Sequence, residues 1–211
     1  MKCPFALSKR GAAAAVWISW LMLAGAPTRA FAAAPAPLQG AVAKQFVQRT
    51  RSYGELRKSA VAGLPKLVET PSPVEISARE KAVAEAIRAR RAGAKRGDVF
   101  GDAGPAIQAL VRADWSQRPS AERKAAWAEL PPVSAPAVNA PYPPTLPLAT
   151  FPPELLTLLP QLPKSMEYRF AGPHLILRDV DANLVVDVLP DVLPGPGPAG
   201  ATPRLGQDAG K

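Results

Sequence analysis

Apolar side chains recur at two different spacings along this chain, and the spacing changes near residue 130. Between residues 39 and 130 they recur every three or four positions, which is the period of an amphipathic helix. Between residues 168 and 189 they alternate with polar ones, which is the period of a half-buried strand. The pattern predicts an α+β fold, with N-terminal helices packed against a C-terminal three-stranded antiparallel meander.

Two helices are predicted before residue 100. The first lies within 39–65, where glycine and proline end it. The second spans 76–98, because Ser77 and Glu80 fit the S-x-x-E capping box that satisfies free backbone N–H groups at a helix start. We expect Gly97 to end it. Its narrow apolar stripe consists of Ile76, Val83 and Ile87.

Two shorter helices follow. The third begins near Asp102, carries a proline in its first turn and runs to Trp115. The fourth begins at Ser120 and ends before Pro131. Short helices with modest stripes are not stable alone, so we expect them to pack together or onto the strands.

The three strands are joined by two predicted turns. Gly172-Pro173 can form a two-residue hairpin loop, because glycine supplies the positive φ of a type II′ turn. That loop places Phe170 opposite Leu175 and Glu167 opposite Arg178. The second turn, residues 179–183, is rich in Asp and Asn, which bond to their own backbone in turns.

The second register is predicted by keeping the apolar residues on one face. This places Leu177 opposite Leu184, Leu175 opposite Val186, and His174 opposite Asp187. The other face then carries a set of mainly polar residues: Arg169, His174, Ile176, Arg178, Val185 and Asp187.

Proline separates the helical part from the strands, since 17 of 26 prolines follow residue 130. Proline removes donors and fixes φ, so residues 131–150 are predicted to be an extended segment on the surface. Residues 151–193 are predicted to form a short helix and the meander. We therefore expect one domain over 33–193 and a disordered tail over 194–211.

The first 32 residues have the three-part layout of a secretory signal peptide. Three cations lie within the first ten residues, residues 11–28 are uncharged, and "AFA" at 30–32 fits a signal peptidase site. We predict cleavage after Ala32 or Ala34 and export to the periplasm. Secretion into the medium is one alternative. An uncleaved membrane anchor is another, because the apolar run reaches the short edge of a membrane span.

The sequence excludes several chemistries. The only cysteine, Cys3, lies in the signal, so the exported chain has no disulfide or thiol nucleophile. "DVDAN" at 179–183 resembles the start of a calcium loop, but it lacks the later glycine and glutamate. A pair of His174 and Asp187 would need a nucleophile, and the strands contain no serine. We predict no catalytic residue, no metal and no cofactor.

Positive charge is concentrated in the helical part. Residues 33–130 carry 17 basic and 10 acidic side chains, whereas residues 131–211 carry 5 and 7. Four cations fall within an arc of about 80° on an ideal second helix. They are Lys81, Arg88, Arg91 and Lys95. This basic stripe could bind another envelope protein or an anionic surface polymer, or simply be a solvated face. Nucleic acid is disfavoured because the chain is exported and has no aromatic platform beside the stripe.

One segment carries a resemblance. Residues Glu167 to Asp187 read E-Y-R-F-x-G, then L-I-L-x-D-x-x-A-N-L-V-V-D. With the run from residue 72 onward, this resembles a set of uncharacterised exported bacterial proteins over most of residues 72–190. The resemblance implies bacterial origin and export, and it implies no activity or site residues.

Two functions remain open from the sequence. The first is a non-catalytic envelope protein that binds a partner or has a structural role, with contact to the membrane only through an uncleaved signal. The second is a small periplasmic hydrolase that uses the polar sheet face around His174 and Asp187. A hydrolase requires those groups to meet in a concave pocket.

Overall fold

A computed structural model describes residues 35–65, 71–130, 135–143, 145–147, 149 and 151–195. All of them belong to one compact unit. The predicted signal peptide, 1–32, and the part of the predicted tail after residue 195 lie outside the described residues.

The predicted α+β fold is confirmed. The helices, in chain order, are α1 (Gly40–Val61), α2 (Pro73–Arg90), α3 (Ala103–Gln117), α4 (Ser120–Glu129) and α5 (Pro153–Leu158). The strands are β1 (Met166–Ala171), β2 (His174–Asp179) and β3 (Leu184–Leu189), which form an antiparallel sheet in the order β1-β2-β3.

Both predicted ends of α2 are wrong. The cap is Ser72, whose side chain accepts a hydrogen bond from the Glu75 backbone N–H at 3.4 Å. "SPVE" is also an S-x-x-E sequence, and its proline at the first helical position favours this earlier start. The helix ends at Arg90, because Arg91 leaves the helical conformation with φ −122°. Turns occupy most of residues 91–102.

The first hairpin is confirmed in detail. Phe170 pairs with Leu175, and Glu167 pairs with Arg178. Gly172 has φ +57°, a conformation that favours glycine, as the two-residue turn requires.

The second predicted register is wrong. Leu177 pairs with Asp187, whereas Arg178 pairs with Val185, so Val186 is an extra residue on β3. This bulge allows Val186 and Asp187 to lie on the same side of the sheet, which strict alternation excludes. Asp187 therefore lies beside the main core, and His174 is not its partner.

The main core lies between the helices and one face of the sheet. The helices contribute buried residues such as Phe46, Ile87 and Ile107, and the sheet contributes Leu175 and Leu177. A continuous row of stacked aromatic rings crosses this interface, with centroid separations of 5.0 to 6.4 Å. The row consists of Phe100, Phe46, Tyr168, Phe151 and Phe170. Stacking of this kind stabilises a core beyond its buried area.

The second face of the sheet, which was predicted to carry mainly polar residues, is covered. The proline-rich segment, described over 135–143, 145–147 and 149, packs Tyr142 against Ile176, Val185 and Val188. It also pairs with both edges of the sheet, through Pro141 with Leu184 and Ala149 with Phe170. Burying these apolar side chains fixes the segment in place, although proline prevents it from forming a regular strand.

Candidate functional site

The predicted His174–Asp187 pair does not form. Asp187 is fully buried, and its carboxylate accepts hydrogen bonds from the backbone N–H groups of Gly97, Val99 and Phe100, each at 2.8 Å. His174 accepts a bond at Nδ1 from the Asp191 backbone N–H at 3.1 Å. The two side chains therefore bind different backbone segments and do not contact each other as predicted.

The loop that resembles a calcium site is a hydrogen-bonded turn. Asp179 is fully buried and accepts from Tyr53 Oη at 2.8 Å, Arg57 Nε at 2.7 Å and the Ala182 backbone N–H at 3.0 Å. Arg57 also contacts Asp181. Within the described residues, no group of three or more His, Cys, Asp or Glu side chains is arranged to hold a metal ion.

The four cations of the predicted stripe do not share one surface. Arg91 is buried, lies 5.2 Å from the centre of the Tyr53 ring, and donates to the Val186 carbonyl at 3.0 Å. Burial lowers the pKa of its guanidinium below the ordinary value. Lys81 and Arg88 are exposed on α2, and Lys95 is exposed in the turns beyond it. The early end of α2 explains why the stripe is broken.

A different basic site lies along α1. A cleft of about 870 Å³ separates this helix from the segment 157–163. Its lining includes two cations and, among the described residues, no carboxylate. The full lining comprises Pro37, Leu38, Ala43, Lys44, Val47, Gln48, Thr50, Arg51, Thr157, Leu158, Leu159, Pro160, Gln161, Leu162 and Pro163. We call this cleft the α1 groove.

Helical periodicity places the two cations of the α1 groove. Lys44 and Arg51 are seven residues apart, so they project from nearly the same side of α1, about 10.5 Å apart along the axis. Both are exposed. Neither makes an ion pair with any described residue. Because the lining carries two cations and no described carboxylate, the groove favours an anion.

The opposite wall of the α1 groove is fixed to the helical side of the molecule. Leu38 donates its backbone N–H to the Leu158 carbonyl at 2.9 Å. A Cβ atom on Gly54 would be in ordinary contact with Pro163, at 4.0 Å. This distance shows that α1 lies close to the wall, and leucine and proline line the space between them.

The α1 groove was not predicted from the sequence. The spacing of Lys44 and Arg51 is visible in the sequence, but the second wall comes from residues more than 100 positions later. No periodicity connects two such segments.

Comparisons with known proteins name no relative: no protein-family model, curated protein or solved structure matches this chain. In the part of the chain that the structure describes, no helix is long and apolar enough to cross a membrane.

Proposed function

We propose that this protein is an exported, non-catalytic binding module whose α1 groove takes an acidic, extended segment of another envelope protein. The observation that carries the proposal is the pair Lys44 and Arg51 beside a lining that is rich in leucine and proline and contains no described carboxylate. An acidic peptide can offer carboxylates to the cations and apolar side chains to the leucines and prolines. An acidic polysaccharide would leave that apolar surface unused.

The spacing of the cations fits an extended peptide. A polyproline II chain has three residues per turn and rises about 3.1 Å per residue, so residues i and i+3 face the same side about 9.3 Å apart. Lys44 and Arg51 are about 10.5 Å apart along α1. Two acidic residues separated by two apolar ones can therefore meet both cations.

The buried polar groups have structural partners. Asp179, Asp187 and Arg91 are all committed to hydrogen bonds that join parts of the fold. Catalysis would require such groups to be directed at a substrate within a pocket. The three-part layout of residues 1–32 supports export, and periplasmic location is part of the proposal.

The test uses a fluorescent, capped peptide, Glu-Pro-Leu-Glu, with Gln-Pro-Leu-Gln as its neutral control. Anisotropy is measured on the exported protein at low salt, because exposed ion pairs weaken in high salt. The double variant Lys44→Glu/Arg51→Glu should bind roughly tenfold more weakly, since two attractive pairs become repulsive. The matched control is Lys81→Glu/Arg88→Glu, which has the same spacing and charge change on α2.

Three results would overturn the proposal. Equal binding of the acidic and neutral peptides would exclude charge recognition. A larger loss in the α2 control would move the site to that helix. Dextran sulfate binding with much higher affinity than the peptide, lost in the same groove variant, would identify an anionic polymer as the occupant.

A further inference from the structure

A second, smaller cavity lies away from the α1 groove, between α3, α4 and the segment leading into α5. Its volume is about 50 Å³, which is room for a few water-sized groups. Apolar side chains dominate its walls, including Ala126, Leu130, Pro152, Leu155 and Phe170. A cavity with such walls favours an aliphatic ligand.

One polar group in this cavity's lining has no partner. Trp115 lines the cavity and is only 6% exposed. Its Nε1–H is buried and makes no hydrogen bond with any described residue. An indole N–H can only donate, and a buried donor without an acceptor is rare and costly. An acceptor supplied by a bound molecule would satisfy it.

The neighbouring side chains do not satisfy this donor. Asp114, the closest acid in the chain, bonds to Arg118 Nε at 2.9 Å. Trp127 meets Trp115 edge to face, at 6.3 Å between ring centroids. That contact adds aromatic packing but no oxygen acceptor. The lining contains two acids, Asp114 and Glu129, and one described cation, Arg118. A neutral ligand is therefore favoured over an anion.

We propose that this cavity binds a short, neutral aliphatic group bearing an oxygen acceptor, to which Trp115 Nε1–H donates. Two sources share this chemistry. One is a small neutral molecule with a carbonyl or hydroxyl group. The other is a valine-sized side chain of a partner, with its backbone carbonyl beside it. The proposal is independent of the α1 groove and of its acidic ligand.

The test follows the indole N–H resonance of Trp115 by NMR in the ¹⁵N-labelled exported protein. Its signal is assigned as the one lost in Trp115→Phe. The probes are 2-butanone and 2-methyl-1-butene, which have the same shape but differ in the oxygen acceptor. The ketone should move the resonance downfield and saturate at about millimolar concentration, as expected for so few atoms. The alkene should bind roughly fivefold more weakly without a downfield shift.

Two variants on one helix provide the structural control. Ala126→Leu fills the cavity and should abolish the response to 2-butanone. Ala125→Leu makes the same change at an exposed position of α4 and should leave the response intact. Capped valine amide separates the sources, because tighter binding than 2-butanone indicates a partner's side chain and weaker binding indicates a free small molecule.

The proposal is overturned by either of two results. In the first, no probe moves the indole resonance, and the Trp115 Nε1 proton shows magnetisation transfer from water. The cavity then holds only water. In the second, the response to 2-butanone survives in Ala126→Leu, so the probe binds elsewhere.

Discussion

At the scale of single residues, two buried aspartates connect segments that are distant in sequence. Asp179 receives hydrogen bonds from Tyr53 and Arg57 on α1. Asp187 receives them from the turns that follow α2. Burying a carboxylate is costly unless charge-assisted hydrogen bonds compensate for lost water. Each aspartate therefore specifies how the helical side docks on the sheet.

Asp187→Asn should lower the free energy of unfolding by about 3 kcal/mol. One carboxylate oxygen accepts from Gly97 and Val188, and the other from Val99 and Phe100. The amide replaces one of these oxygens with a donor, which leaves two buried N–H groups unsatisfied. Urea unfolding measures the loss.

The matched control for that measurement is Asp181→Asn, whose side chain is 64% exposed. It should cost under about 1 kcal/mol, as surface ion pairs do. Equal losses in both variants would contradict a structural role specific to Asp187.

Glu167→Gln should destabilise the protein by about 1 kcal/mol at neutral pH. Burial raises the pKa of Glu167, but hydrogen bonds and charges of Arg169 and Arg178 outweigh this and hold it below its ordinary value of 4.5. A lowered folded pKa stabilises the fold above the ordinary value. The stabilisation disappears as the pH falls through the folded pKa.

Unfolding measured from neutral to acidic pH checks this expectation. The difference between the wild type and Glu167→Gln should vanish in acid. A difference that stays constant over the whole range would show that packing, and not ionisation, explains the loss.

Some residue positions could not be predicted from the sequence. Helical periodicity aligns Arg91 with Lys95, but α2 ends one residue before Arg91, and the side chain turns inward onto Tyr53. The predicted pair of His174 and Asp187 assumed a longer turn than the one observed, since Asp179 pairs directly with Leu184, and it also assumed no bulge. In the case of Arg91, a tertiary contact overrides a local pattern.

At the scale of elements, a strand register is predicted correctly where one short segment of sequence determines it. The Gly172-Pro173 hairpin is such a case, because its register follows from the turn alone. The second register also depends on Asp187 reaching the backbone of residues 97–100, which lies about 90 positions earlier. The bulge at Val186 allows Asp187 to make that distant contact. The alternation of apolar and polar residues along β3 does not reveal it.

The cap of α2 gives a direct test at this scale. Ser72→Ala should cost about 1 kcal/mol in the free energy of unfolding, because the side chain accepts from the Glu75 N–H. Ser77→Ala should be neutral or slightly stabilising, since Ser77 is exposed within the helix and alanine has higher helix propensity. Thermal unfolding compares the two variants. A larger loss in Ser77→Ala would restore the cap predicted from the sequence.

At the scale of the whole molecule, the fold class and the order of elements were predictable because the two apolar periods are separated along the chain. The α1 groove and the Trp115 cavity were not, since each needs walls from segments far apart in sequence. The covering of the second sheet face was also missed, because a proline-rich segment indicates exposure more often than burial.

The predicted export has a measurable consequence for the mass of the protein. Intact mass spectrometry of protein purified from the host's envelope should show loss of residues 1–32 or 1–34, because signal peptidase cuts after small side chains. Native conditions also show whether a ligand remains bound. A full-length mass in the membrane fraction would instead support an anchored protein, and a full-length mass in the cytosol would contradict export.

The pairing of the proline-rich segment with both sheet edges bears on aggregation. An uncovered strand edge is a template for strands of other molecules, and three short strands leave two such edges. Here Pro141 lies beside β3 and Ala149 beside β1. Proline has no N–H to offer to a further strand. A molecule whose segment detaches, even with its core intact, would expose both edges at once and become competent to polymerise.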